Sequence, residues 1–194
     1  MDAMLVTGNY QRDRARAYAA RWALGRNRLF ADFDALGGDC TNFVSQCVYA
    51  GGCRMNFTPV FGWYYLSPDD RAPAFTGVEY FRNFLVGNEG VGPFGREVTA
   101  EEILIGDVIQ LGRAEGDFYH SLLVVGIDGE GVPLVAAHSE DAFERPLTDY
   151  RYARARYLHV AGVRYLVSGV GDCYSALYEG QELLIEGAGV SVPD

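Results

Sequence analysis

The chain has 194 residues, a length that suits one domain with one substantial hydrophobic core. Its formal net charge is -10, and this acidic balance disfavours non-specific binding to nucleic acid or to anionic lipid. No apolar run is long enough to predict a membrane span, and the N-terminal residues do not predict a secretory signal. A processed chain would show the same N-terminus, so the cellular location is left open.

Helical periodicity is found mainly in the first half of the chain. Residues 10–24 predict an amphipathic helix, and its arginine-rich face is interpreted as a solvated face rather than a phosphate site. A second helix is predicted over residues 40–49, ended by Gly51 and Gly52, and its mostly apolar sequence places it in the core. A third helix is predicted over residues 77–86.

The period changes in the second half, where short runs rich in β-branched residues are separated by turn residues. These runs predict antiparallel strands over residues 106–112, 119–128, 132–140, 155–167 and 181–187. The second and third of them are joined by a short turn and predict a hairpin. Helices followed by strands predict an α+β fold in a single domain over residues 1–194. Residues 53–100 are interpreted as an inserted cap or wall, and residues 168–194 as an unassigned C-terminal extension.

The chain contains four cysteines, which are Cys40, Cys47, Cys53 and Cys173. Cys40 and Cys47 lie on one predicted helix, roughly 10 Å apart along its axis, too far for a disulfide. Neither a CxxC motif nor a Cys/His pattern with zinc-like spacing occurs, so a disulfide scaffold and a zinc site are both disfavoured. All but Cys40 are interpreted as structural, and four unpaired cysteines would fit a reducing compartment.

Cys40 has the sequence position of a nucleophile. It stands at the predicted start of the second helix, where the helix terminus lowers the pKa of a thiol, and directly follows Asp39, a predicted N-cap. His120 begins one strand of the hairpin and His138 ends the other, and their distances from the turn predict that they are close to paired. Cysteine catalysis requires a thiol, a histidine that takes its proton, and a third group that orients the histidine.

Each of these residues also has a structural interpretation. Cys40 could be an inert buried thiol, which is the common state of a buried cysteine, and His138 could be bonded to a backbone carbonyl at a strand end. Composition and spacing alone leave the nucleophile and the packed thiol as equal alternatives. His159 is interpreted as structural, because nothing in its surroundings suggests chemistry.

The segment from Gly37 to Gly52, GGDCTNFVSQCVYAGG, resembles the signature of the family described as "putative amidase domain", a branch of the NlpC/P60-like, papain-like cysteine hydrolases. Further segments are similar to that family in the same order, namely YQRDRARAYAARWA, WYY, GDVIQL, HSLLVV and AAHSED. The resemblance covers residues 10 to about 150.

This resemblance implies roles for individual residues. Cys40 would be the nucleophile, with its backbone N–H as one oxyanion donor, and His120 the general base. His138 would be the third, orienting residue, with a nearby acid as the open alternative for that position. Asp39 and Thr41 flank Cys40 as in the Asp-Cys-Ser unit that, in the wider NlpC/P60 group, helps to bind the free amine of a peptide.

Two aromatic residues of the 53–100 segment, Trp63 and Tyr64, either line the cleft or pack in the core under a long loop. The expected fold is α+β and papain-like. The expected activity is hydrolysis of an amide through a thioacyl-enzyme, on a peptide or peptidoglycan fragment of the bacterial cell wall, without metal or cofactor. The alternatives are a cysteine acyltransferase or small-amide hydrolase on the same scaffold, and a catalytically inactive peptide-binding module. The oligomeric state is not predicted.

Overall fold

A computed structural model of the chain describes residues 4–167 and 173–181 as an α+β fold, in which helices pack on an antiparallel sheet. Its helices are α1 Arg12–Trp22, α2 Cys40–Gly52, α3 Pro73–Thr76, α4 Val78–Gly87 and α5 Tyr174–Glu179. Its strands are β1 Leu5–Gly8, β2 Gly92–Val98, β3 Val108–Gly112, β4 Phe118–Ile127, β5 Pro133–Ala137, β6 Ala142–Pro146 and β7 Arg154–Leu166. None of the helices in these two ranges is long and apolar enough to span a membrane.

The strands form one sheet in the order β1-β7-β3-β4-β5-β6, and β2 also pairs with β7. The long strand β7 pairs with β3 near its start, with β1 near its end, and with β2 along most of its length. From β3 to β6 each strand pairs antiparallel with the next one in sequence. This topology places β4 inside the sheet, with a hydrogen-bonded neighbour on each side.

Strand β4 is buried on both faces of the sheet. Leu123 and Val125 belong to the larger apolar core that includes the helices, whereas Leu122 and Val124 belong to a second apolar cluster. Successive side chains of a strand point to opposite faces, which explains this division. The nearly continuous apolar run of this strand is therefore what a strand covered on both faces needs.

Helix α2 is the central helix of the core, and nearly all of its residues are buried. The helix ends at the predicted glycines, with Gly52 as its last residue, but neither glycine is the left-handed residue that caps it, which is Cys53. The two glycines instead allow close packing. A Cβ atom on Gly51 would lie 2.2 Å from the ring of Tyr10, and one on Gly52 would lie 2.8 Å from Val163.

The predicted β4–β5 hairpin is confirmed, with Leu123 opposite Ala136 and Ile127 opposite Pro133. Strands β1, β2 and β6 are not predicted by the sequence. β1 and β6 have only four and five residues, and β2 contains two glycines and a proline, which are depleted in strands. These three strands form because they pair with a neighbouring strand, β7 or β5, and not because of their local propensity. The predicted strand over residues 181–187 lies outside the described residues except for its first residue.

The segment 53–100 belongs to the main core and the sheet. It supplies α3, α4 and β2, and its residues Phe75, Phe81 and Leu85 are fully buried in the larger apolar cluster. Its strand β2 pairs with β7. The prediction of an inserted cap or wall is therefore corrected, because burial of these aromatic and aliphatic side chains draws the segment into the fold.

A disulfide joins Cys53, at the end of α2, to Cys173, just before α5. The prediction that all four cysteines are unpaired is wrong, and the argument for a reducing compartment falls with it, since structural disulfides persist in oxidising compartments. The two partners are 120 residues apart, a separation for which no spacing rule exists. The bond fixes α5, whose residue Leu177 is fully buried in the core that includes α1 and α2.

The arginine-rich face of α1 contacts the sheet and its connections, which corrects its interpretation as a solvated face. Arg12 donates to the carbonyl of Ile105 and forms an ion pair of 2.6 Å with the buried carboxylate of Asp107. Arg16 donates to the carbonyl of Val125 in β4 at 2.7 Å. These bonds hold α1 against the same central strand that carries His120.

Candidate active site

Cys40 and His120 line one cleft. Cys40 is the first residue of α2 and His120 is the third residue of β4, so the start of the central helix meets the start of a central strand. The cleft has a volume of about 450 Å³, and only 6% of Cys40 and 8% of His120 are exposed. The other lining residues come from the loop before α2, from β3 and β4, and from the chain after β5, and are Gly37, Gly38, Leu111, Tyr119, Ser139, Glu140, Arg145, Asp149, Tyr150 and Arg151.

A buried chain of hydrogen bonds fixes the start of α2 against the sheet. Thr41 Oγ1 lies 2.9 Å from Ser121 Oγ, which accepts a hydrogen bond from Gln110 Nε2 at 3.0 Å. The thiol of Cys40 accepts a hydrogen bond from the backbone of Ser121 and lies 3.8 Å from Thr41 Oγ1. Because Ser121 follows His120 directly, these bonds determine which part of β4 stands beside Cys40.

Burial determines the resting state of the Cys40 thiol. Burial raises the pKa of Cys40 above its ordinary value, hydrogen bonds from Ser121 and Thr41 oppose the rise, and the negative charge of Asp39 adds to it. The expectation that the helix start lowers the pKa of this thiol is therefore corrected, since desolvation has the larger effect.

The imidazole of His120 is shifted in the complementary direction. Burial lowers the pKa of His120, the charge of Glu140 raises it, and the charge of Arg145 lowers it further. A raised thiol pKa and a lowered imidazole pKa both favour the neutral forms near pH 7. These directions favour a thiol and a neutral imidazole in the cleft over a preformed thiolate–imidazolium pair.

Asp39 occupies the predicted N-cap position of α2, but its side chain does not cap the helix. Its side chain is fully buried and makes no capping hydrogen bond. One carboxylate oxygen accepts from the backbone N–H of Phe33 at 3.1 Å and from Asn42 Nδ2 at 2.8 Å, and the other lies 2.6 Å from His138 Nδ1. Three protein groups therefore occupy the carboxylate, which corrects the predicted capping bonds of this side chain and its predicted contact with a substrate amine.

His138 does not orient His120 in the structure. Its Nδ1 faces Asp39, and its Nε2 lies 2.9 Å from the carbonyl of Trp22, which can only accept a hydrogen bond. The ring also stacks on Phe43, with centroids 4.1 Å apart. With both nitrogens occupied, His138 has none left for His120, and the predicted third position is corrected. His138 instead connects the end of α1 and the start of α2 to the end of β5. Its bond to the Trp22 carbonyl is the structural interpretation that the sequence analysis gave as the alternative.

The other predicted substrate-binding residues do not line the cleft. Trp63 is fully buried and donates its Nε1–H to Ser45 Oγ at 3.0 Å. Tyr64 packs on Phe57, with ring centroids 5.3 Å apart. Thr41 is fully buried in the hydrogen-bond chain described above. For the two aromatic residues, core packing was the alternative interpretation, and it is the arrangement that the structure has.

Sequence reasoning misses one wall of the cleft. Arg145 lies on β6, and its guanidinium is 4.2 Å from the ring centroid of Tyr150 and 3.4 Å from the carboxylate of Glu140. The ring of Tyr150 lies 6.0 Å from that of His120. The motif AAHSED contains Glu140 and was the available signal. Because the sequence does not predict strand β6, it gives no reason to place the side chain of Arg145 in the cleft.

The third histidine lies in a different network. His159 Nδ1 is 2.9 Å from the carboxylate of Asp107, as its structural interpretation allows, and it does not line the cleft. Within residues 4–167 and 173–181, no group of three or more His, Cys, Asp or Glu side chains is arranged to hold a metal ion.

A family model described as "Putative amidase domain" matches residues 9–161. The match covers most of the chain, and the chain belongs to this amidase-domain family. The matched residues run from just before α1 into β7 and include both Cys40 and His120. Cys173 and α5 lie beyond them.

The chain is also similar to a protein of Bacillus subtilis (strain 168), "Uncharacterized protein YhbB". The two are 32% identical over 136 residues, which is 69% of this chain and 42% of YhbB. The chain therefore spans less than half of that relative's length. No solved structure matches the chain.

Proposed function

We propose that this chain is a cysteine-dependent amide hydrolase of the papain-like, NlpC/P60 type. The observation that carries the proposal is the shared cleft, in which the thiol of Cys40 at a helix start and the imidazole of His120 on a central strand are brought together. Membership of the amidase-domain family supports an amide as the bond that is cleaved. An inert buried thiol, which is the alternative for Cys40, would not require a cleft that is also lined by His120.

The proposed reaction begins when Sγ of Cys40 attacks the carbonyl carbon of the amide while His120 takes the thiol proton. The backbone N–H of Cys40, which as the first residue of α2 has no intrahelical partner, donates to the oxyanion. His120 then gives its proton to the leaving amine, the C–N bond breaks, and a thioacyl-enzyme remains. Water, activated by His120, hydrolyses the thioester and restores the thiol.

The neutral resting pair supports a coupled proton transfer. A thiol with a raised pKa needs a base at the moment of attack, and an imidazole with a lowered pKa is unprotonated and ready to act as one. Asp39 and His138 support this chemistry indirectly, because their bond fixes the segment from which α2 starts.

We propose a short peptide of the bacterial cell wall as the substrate. The cleft presents charges of both signs around Cys40, with Arg145 and Arg151 against Glu140 and Asp149, which suits a peptide that carries both amine and carboxylate groups. The resemblance of the Cys40 segment to the NlpC/P60 signature supports the same substrate class.

The test is product analysis by mass spectrometry on a panel of short peptides and soluble peptidoglycan fragments, each with a free or a blocked amine. The proposal expects at least one amide to be split into an acid and an amine with uptake of one water. Glycinamide is included as an acceptor, so that acyl transfer would appear as a glycinamide adduct in place of the acid. Absence of any cleavage across the panel would contradict the proposal.

A further inference from the structure

His120 lacks the partner that the sequence predicts for it. Both ring nitrogens of His138 are bonded elsewhere, and the His120 ring forms no hydrogen bond with another residue of 4–167 or 173–181. A histidine base becomes an imidazolium during turnover, and a nearby negative charge stabilises that state. The cleft should therefore contain another acid that serves His120.

The charged and titratable groups around His120 come from several elements. They are Cys40 from α2, Tyr119 from β4, Arg145 from β6, and Glu140, Asp149, Tyr150 and Arg151 from the segments after β5 and β6. Two of these groups are acids. Glu140 is the one whose charge raises the pKa of His120, in opposition to the larger lowering by burial.

The backbone at Glu140 is held in an unfavourable conformation. Ser139 and Glu140 both have positive φ angles, 59° and 98°, although neither is glycine. Such a conformation is unfavourable for a residue with a side chain and persists only when its surroundings enforce it. Here Ser139 Oγ accepts the backbone N–H of Asp39 at 2.7 Å and donates to the carboxylate of Asp34. The strained pair is thus anchored to the residue that precedes Cys40.

The side chain of Glu140 is restrained from the opposite wall of the cleft. Arg145 lies 3.4 Å from the Glu140 carboxylate, donates to the carbonyl of Asp149 at 3.1 Å and covers the ring of Tyr150. The carboxylate itself stays largely exposed, with 76% of the side chain accessible. Backbone and side chain are therefore both positioned to keep a negative charge at the rim near His120.

We propose that Glu140 is the positioning residue for His120, in place of His138. Its carboxylate stabilises the imidazolium that forms when His120 accepts the proton of Cys40, and the enforced backbone of Ser139 and Glu140 keeps the carboxylate at the cleft. The inference rests on the proposed function in that it takes His120 as the base.

The test is an NMR titration of the histidine rings, which the chain makes simple because it has only three histidines. The Glu140→Gln variant is expected to lower the titration midpoint of His120 at low ionic strength, because it removes the negative charge that raises the pKa of this ring. The effect should shrink in 1 M salt, because salt screens the interaction between two charges at the rim of a cleft. The Arg145→Gln variant is expected to move the His120 midpoint upward.

The matched control is Glu144→Gln. Glu144 is a nearby glutamate that also has a positive φ, 57°, but it pairs with Arg16 at 3.1 Å and does not line the cleft. The Glu144→Gln variant should therefore leave the titration midpoint of His120 unchanged. If Glu140→Gln leaves that midpoint as unmoved as Glu144→Gln does, the inference is overturned.

The hydrolysis assay separates this inference from the proposed function. In Glu140→Gln, the acid limb of the kcat/KM profile is expected to move to lower pH by the same amount as the His120 midpoint. A moved midpoint without hydrolysis of any peptide would contradict the proposed function and still support the coupling of Glu140 to His120. An unmoved midpoint in an active enzyme would contradict the role of Glu140 alone.

Discussion

The Cys40→Ala variant is expected to lose amide hydrolysis by at least about 10⁴-fold in kcat/KM. In the proposed reaction the Cys40 thiol forms the covalent bond to the acyl group, and no other thiol can replace it. Cys47 is fully buried within α2, and Cys53 and Cys173 are joined in a disulfide. The measurement is steady-state hydrolysis of whichever peptide the wild-type protein cleaves.

The control for this variant is Cys47→Ala, which removes the other free thiol. Because Cys47 faces the core and does not line the cleft, its loss should change kcat/KM by less than about threefold once the protein is confirmed to be folded. Retention of more than a tenth of wild-type activity in Cys40→Ala would rule out a covalent role for the thiol.

The Asp39→Asn variant is expected to reduce the free energy of unfolding by about 3 kcal/mol. The carboxylate of Asp39 is fully buried, accepts from Phe33 and Asn42, and lies 2.6 Å from His138 Nδ1. Asparagine keeps one acceptor oxygen for Phe33 and Asn42. It removes the buried negative charge that faces His138 and lies 3.7 Å from Arg26 Nε. Urea unfolding followed by circular dichroism measures the difference.

Asp141→Asn is the matched control for this change. Asp141 is also an aspartate with an ionic partner, but its pair with Arg26 is exposed, with N···O distances of 2.9 and 3.0 Å. Exposed pairs contribute less than about 1 kcal/mol. Equal losses of stability in the two variants would show that the buried bond between Asp39 and His138 does not hold the start of α2.

Local sequence patterns predict the elements that build the site. The helical period marks α1, α2 and α4, and two short runs rich in β-branched residues around a polar turn mark the β4–β5 hairpin. The hairpin and the helix start at Cys40 are enough to expect a thiol and two histidines at one edge of the sheet. The structure brings Cys40 and His120 to one cleft in this way.

The partners of the polar side chains are not predictable in the same way, because they depend on distant parts of the chain. An aspartate before a helix is ordinarily a cap, but Asp39 bonds to His138, which is 99 residues away. The same limit applies to the disulfide and to Arg145, which reaches the cleft on a strand that only sheet pairing defines. Local propensity carries no information on such contacts.

The most direct test of the Cys40–His120 site needs no substrate. We would follow iodoacetamide labelling of Cys40 and Cys47 by mass spectrometry from about pH 6 to about pH 10, in the wild type and in His120→Ala. The thiolate is the reacting form, and burial raises the pKa of Cys40, so its labelling rate should keep rising beyond the ordinary thiol pKa of about 8.5. Cys40 should react faster than Cys47 throughout, and removal of His120 should slow its labelling near neutral pH. Labelling of Cys40 no faster than that of Cys47 in the folded protein would contradict a reactive thiol in this cleft.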